Sequence, residues 1–154
     1  VRFGGMKLHT GRDCRFCKLA NREIPCHIVF EDELVCCFLA KEPFSEGHTL
    51  IVPKKHYLDL DQLDEETAQH IMNASILISK ALKNEFAPDG ISVMQNGGAF
   101  NDVGHYHMHI FCRYRGDGFG WKYDDAGKEE FYSQETRDKV ATAIAEVMRT
   151  VNGS

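Results

Sequence analysis

The stretch His105-Tyr106-His107-Met108-His109-Ile110-Phe111-Cys112-Arg113 limits this chain more than any other. It holds three of the eight histidines at alternate positions, with bulky apolar or aromatic residues between them. Side chains on a β-strand alternate between faces. His105, His107 and His109 therefore share one face of such a strand, and Tyr106, Met108 and Ile110 share the other. Core packing gives no reason for a row of imidazoles. The histidine face is expected to hold a metal, to do chemistry, or both.

At 154 residues the chain is long enough for one domain with a substantial core, and one domain is expected over residues 14–154. Residues 1–13 lack periodicity and are expected to be a disordered or non-native N-terminal segment, with Met6 a candidate native start. The formal net charge is −5 and no basic run is sustained, which argues against a nucleic-acid polymer as partner. No apolar run approaches the length of a membrane span and nothing resembles a signal peptide, so no membrane partner is expected. Six cysteines without a secretory context point to a reducing compartment, the cytoplasm.

Cys14-Arg15-Phe16-Cys17 is by itself ambiguous between a redox pair, half of a zinc site and an accident. It precedes every recognisable strand, where a redox pair would follow one, so half of a zinc site is favoured. Two short strands, 26–30 and 33–39, read as a hairpin through Glu31-Asp32. A third strand covers 48–53, and His56 stands just past its end. The clearest helix spans 64–87: Asp64 is its cap, and Ala68, Ile71, Ser75, Ile78 and Leu82 recur at helical spacing. His70 is read as structural or exposed. Another strand, 91–95, leads through a loop containing Asn96, Gly97 and Gly98 into the histidine stretch. Glycine lets a backbone approach a ligand closely, and exposed amides can bind an anion. Val140, Ile144, Val147, Met148 and Val151 mark a last amphipathic helix. Strands, helix, strands and helix in that order predict an α+β fold with a mainly antiparallel sheet, a long helix and a C-terminal helix.

From Cys14 to Trp121 the sequence resembles the histidine triad (HIT) family of nucleotide hydrolases and transferases, in a zinc-containing, bacterial-type form. Two segments carry the resemblance: His105 to Phe111, which follows the family's alternation of histidine and apolar residue, and Gly47-His48-Thr49-Leu50-Ile51-Val52-Pro53-Lys54-Lys55-His56. The resemblance implies a HIT-like fold and a nucleotide substrate, with purine the expected base. It implies a homodimer, and attack by the middle histidine, here His107, on an α-phosphorus to give a nucleotidyl-histidine. His109 would contact the phosphate, with Asn96, Gly97, Asn101 and Asp102 completing the substrate site. It also implies a structural Zn²⁺ on Cys14, Cys17, His56 and His105.

Two departures stand out. Most members carry an aspartate that binds the ribose hydroxyls where this chain has Ala40, with Glu42 a candidate substitute. Asn101-Asp102 replaces a glutamine-hydroxyl pair, so Asn101 is expected to keep an amide contact to phosphate while Asp102 replaces a group that assists the leaving group. The implied activity is hydrolysis of a P–O–P or P–N bond in a dinucleoside polyphosphate or nucleoside phosphoramidate. Its rivals are nucleotidyl transfer to phosphate or a sugar phosphate, and a zinc-stabilised nucleotide-binding module with little turnover.

Overall fold

The computed structural model describes residues 12–122 and 126–153. Residues 1–11, most of the segment expected to be disordered or non-native, lie outside the described residues. Within the stretch read as one domain, contacts gather into two units, one ending at Asp117 and the other beginning at Gly118.

The first unit is built on a five-stranded sheet. β1 (Ile28–Glu31), β2 (Val35–Leu39) and β3 (Thr49–Pro53) form a meander, and β5 (Met108–Arg113) lies beside β3 with β4 (Gly90–Met94) at the edge. Every pairing is antiparallel, as the sequence pattern predicts. Asp32 closes the β1–β2 turn by accepting from the backbone N–H groups of Leu34 and Val35.

Each sheet face has its own helix. α2 (Glu65–Phe86) begins at Asp64, whose carboxylate accepts the Thr67 N–H at 2.8 Å, and it ends at Ala87 in a left-handed conformation. Its stripe of Thr67, Ile71, Ala74, Ser75, Ile78 and Leu82 is buried. That stripe covers the sheet face carrying Val35, Cys37, Ile51 and Ile110. His70, on the same helix, bonds Asp32 at 2.8 Å and so ties α2 to the β1–β2 turn. This bond raises the His70 pKa. The opposite face carries Cys36, Phe38, Leu50 and Val52, and is covered by the short helix α1 (Arg15–Ala20).

The sequence reading did not anticipate α1, because six residues are too few to show periodicity. The histidine stretch also needs a correction, since the ladder begins only at Met108, after His105 and His107. Side-chain bonds and one backbone bond outside the sheet replace a longer ladder. His105 Nε2–H donates to the Pro53 carbonyl at 2.9 Å, His107 Nδ1–H donates to the His105 carbonyl at 2.8 Å, and the Tyr106 N–H turns to Tyr57.

In the second unit α3 (Gln134–Asn152) starts at Ser133, whose hydroxyl accepts the Thr136 N–H. Its expected apolar residues, Val140, Ile144, Val147, Met148 and Val151, are all exposed. No helix of the described residues is long and apolar enough to cross a membrane.

Candidate active site

The three histidines reach the α1 side of the sheet, and the hydrogen bonds around each ring assign its protons. With Nδ1–H of His107 held by the His105 carbonyl, the Nε2 lone pair of His107 is free. His107 is buried, and the ring of Phe16 meets it edge-on at 5.2 Å. A second chain of bonds fixes His109. The Phe44 N–H donates to His48 Nδ1 at 3.0 Å, so His48 carries its proton on Nε2. That proton points at His109 Nδ1, 3.0 Å away. His109 is thereby left with its own proton on Nε2, as a donor. Burial, with His107 and His48 alongside, lowers the His109 pKa to about 4, and burial lowers that of His48. His48 and His109 are therefore built to stay neutral near neutral pH.

The first histidine faces the other way, toward α1. Cys14, Cys17, His56 and His105 offer four ligand atoms within 4.8 Å of one another. Cys14 Sγ lies 3.3 Å from His105 Nδ1, and Cys17 Sγ lies 3.3 Å from His56 Nδ1 and 3.4 Å from His105 Nδ1. In a tetrahedron with Zn–S of ~2.3 Å and Zn–N of ~2.05 Å, each sulfur–nitrogen edge is roughly 3.5 Å. The donor set therefore fits a closed tetrahedral ion. The Pro53 carbonyl supports the fit, because it holds the proton of His105 on Nε2 and leaves Nδ1 free to ligate. Burial and the neighbouring Cys14 push the Cys17 thiol up to about 12, so a divalent cation is what would keep it a thiolate here.

Of the remaining residues expected at the site, Asp102 has an exposed carboxylate 3.8 Å from His107 Nε2. Asn101, for which an amide contact to phosphate is expected, organises the loop. It is buried, donates to the carbonyls of Leu58 and His105, and accepts from the N–H groups of Val103 and Gly104. Asn96 and Gly97 belong to the loop before it, in which the Gly98 N–H donates to Asp59 at 2.9 Å. A cavity of about 650 Å³ opens against Phe16, whose ring also meets His107, and against Leu19, Phe38 and Leu50, with Arg15 and Lys41 also in its wall. Ala40 lines it and Glu42 does not.

The HIT domain family model matches residues 21–116. The chain belongs to the HIT family. A HIT family protein of Bacillus anthracis, known from its crystal structure, is 37% identical with a TM-score of 0.80, over 90% of this chain and 99% of that one. A zinc-bound histidine triad protein of Mycobacterium smegmatis is 29% identical with a TM-score of 0.66, over 87% of this chain and 99% of its own. The adenosine 5'-monophosphoramidase of Schizosaccharomyces pombe is 34% identical over 113 residues, 70% of this chain and 82% of that protein.

Within this HIT site the sequence reading overlooked two features. His48 was visible inside the Gly47–His56 segment, but only as part of a strand, and nothing in the sequence shows that its ring meets His109. The cavity wall combines side chains from α1 and from around β2, which are far apart in the chain.

Proposed function

We propose that this HIT protein is a nucleotide hydrolase that cleaves a P–O–P or P–N bond at the α-phosphate of a purine nucleotide through a covalent nucleotidyl-His107. Dinucleoside polyphosphates and nucleoside phosphoramidates are its substrate classes. The observation that carries this reading is the pair of hydrogen-bond chains that set opposite tautomers on His107 and His109. They leave a lone pair on Nε2 of one ring and a donor on Nε2 of the next, whose centroid is 4.9 Å away. A nucleophile and an oxyanion donor side by side are what substitution at phosphorus requires.

In the first step His107 Nε2 bonds to phosphorus while the bond to the leaving oxygen or nitrogen breaks, its electron pair going with the leaving group. An amine leaving group takes up a proton from solvent. The positive charge on the ring is stabilised by the His105 carbonyl, and His109 donates to a non-bridging oxygen. Water then attacks the same phosphorus, the bond to His107 breaks, and the water's proton is released, giving the nucleoside monophosphate and the neutral imidazole. The base enters the cavity over the apolar floor that includes Phe16 and Phe38. The similarity to the yeast phosphoramidase supports the P–N branch.

The four-ligand cluster is assigned a structural Zn²⁺, supported by its geometry and by the zinc-bound relative. The same reading includes a homodimer, for which the open edge of β4 with half-exposed Val93 is a candidate seam. It also includes a cytoplasmic setting, in keeping with six free cysteines. The test is to incubate the protein with adenosine 5'-phosphoramidate and a series of diadenosine polyphosphates, following adenosine monophosphate release. Turnover of at least one substrate by the wild type, and none by His107→Ala, is expected. Equal rates for the two proteins overturn the mechanism.

A further inference from the structure

The cavity that shares Phe16 with His107 has an unusual balance of polar groups. Its floor is apolar, formed by Phe16, Leu19, Phe38 and Leu50. The ionisable side chains in its wall, cysteine aside, are those of Arg15, His27 and Lys41, and no aspartate or glutamate lines it. All three are exposed. Among the described residues none of the three has an ion-pair or hydrogen-bond partner for its side chain. Two of them are cations at neutral pH.

A nucleoside seated on this floor would present sugar hydroxyls that need acceptors. Arginine and lysine side chains offer donors only. A neutral diol can accept from these donors but finds no carboxylate in the wall to take its own protons, whereas an anion on the sugar meets two unpaired cations. Arginine in particular matches phosphate through paired N–H groups.

We propose that this pocket selects nucleotides carrying an additional phosphate on the sugar, at the 2' or 3' position, with Arg15 and Lys41 as the residues that recognise it. The inference deepens the hydrolase reading, because it rests on the nucleoside occupying this cavity while the α-phosphate lies at His107. It names the substrate class as sugar-phosphorylated nucleotide derivatives. His27, at the same wall, adds a further donor.

Binding tests this separately from turnover. Titration calorimetry on the full chain compares adenosine 5'-monophosphate with adenosine 3',5'-bisphosphate and adenosine 2',5'-bisphosphate. At least one bisphosphate is expected to bind about 10-fold tighter or better, since charge-assisted contacts to phosphate are among the stronger polar interactions. Arg15→Gln and Lys41→Gln are each expected to reduce that preference several-fold. Lys80→Gln, an exposed lysine on α2, is expected to leave it intact. The inference is overturned if the monophosphate binds as tightly as both bisphosphates. It is also overturned if the preference survives both wall substitutions, or falls equally with Lys80→Gln, which would indicate overall charge and not this wall. Failure of the hydrolase reading looks different: no phosphoramidate or anhydride is turned over, whatever the order of affinities.

Discussion

His48 shows how much of this site depends on where single protons rest. Its Nε2–H points His109 the right way round, and the Phe44 N–H in turn keeps that proton on Nε2. Removing the ring frees His109 to carry its proton on Nδ1, leaving no donor toward phosphate. His48→Ala is therefore expected to lower kcat by roughly 10- to 100-fold, in the range of a lost proton-positioning contact. His48→Gln should recover part of the loss, because its amide can still donate to His109. Steady-state kinetics on the two variants check this, and equal activities would remove the relay from the account. The buried rings also make stability depend on pH. His109 titrates at about 4 in the folded chain but near the ordinary value of about 6.5 when unfolded. Between those values the unfolded chain binds more protons, so stability falls as pH drops through that window and levels off below it. The thermal midpoint followed from pH 7 to pH 4 should decline, and His109→Gln should decline less steeply.

At the scale of elements, the decisive feature is the place where β5 stops being a strand. Regular alternation predicts a ladder through all three histidines, whereas the structure begins it at Met108. That difference frees the His105 and Pro53 carbonyls to orient His107 and His105. Periodicity reports which face a residue occupies, so the faces were legible. It does not report where a ladder yields to side-chain bonds, so the strand's beginning was not. The α1 knuckle was half legible: Cys14 and Cys17 announce ligands, but Phe16, which carries the knuckle's influence to His107, reads as any apolar residue. Cys14→Ser is expected to lose the metal and lower the thermal midpoint by about 5–10 °C, consistent with metal-linked folding. Elemental analysis should give about one Zn²⁺ per wild-type chain, as a closed four-ligand site requires. Unchanged stability in metal-free protein would contradict the assignment. Gly47, just before His48, has φ of +82°, and a Cβ there would meet the Phe86 ring at 2.5 Å and the Leu82 side chain at 2.8 Å. Gly47→Ala should therefore cost about 2 kcal/mol or more, from strain and overpacking together, measurable by denaturant unfolding.

For the molecule as a whole, the α+β class and the antiparallel sheet were legible because the strands read as short apolar runs between turns and the long helix carries its own periodic signal. The pairing of β5 with β3, and the cavity formed between α1 and the region around β2, were not, since they join residues far apart in sequence. The division of contacts into two units at Asp117 was equally hidden, because the amphipathic stripe of α3 reads the same in either arrangement. The sheet unit contains the whole candidate site: His107 as proposed nucleophile, His109 as proposed phosphate donor, the four-ligand cluster and the cavity. Its central chemical claim is a covalent bond between His107 and phosphorus. The direct measurement is a rapid alkaline quench during turnover of adenosine 5'-phosphoramidate, followed by intact-mass and peptide analysis. The account predicts one adenylyl group added per active chain, located on His107 and absent from His107→Ala. Turnover with no adduct at any time, or an adduct on another residue that persists in His107→Ala, would contradict it.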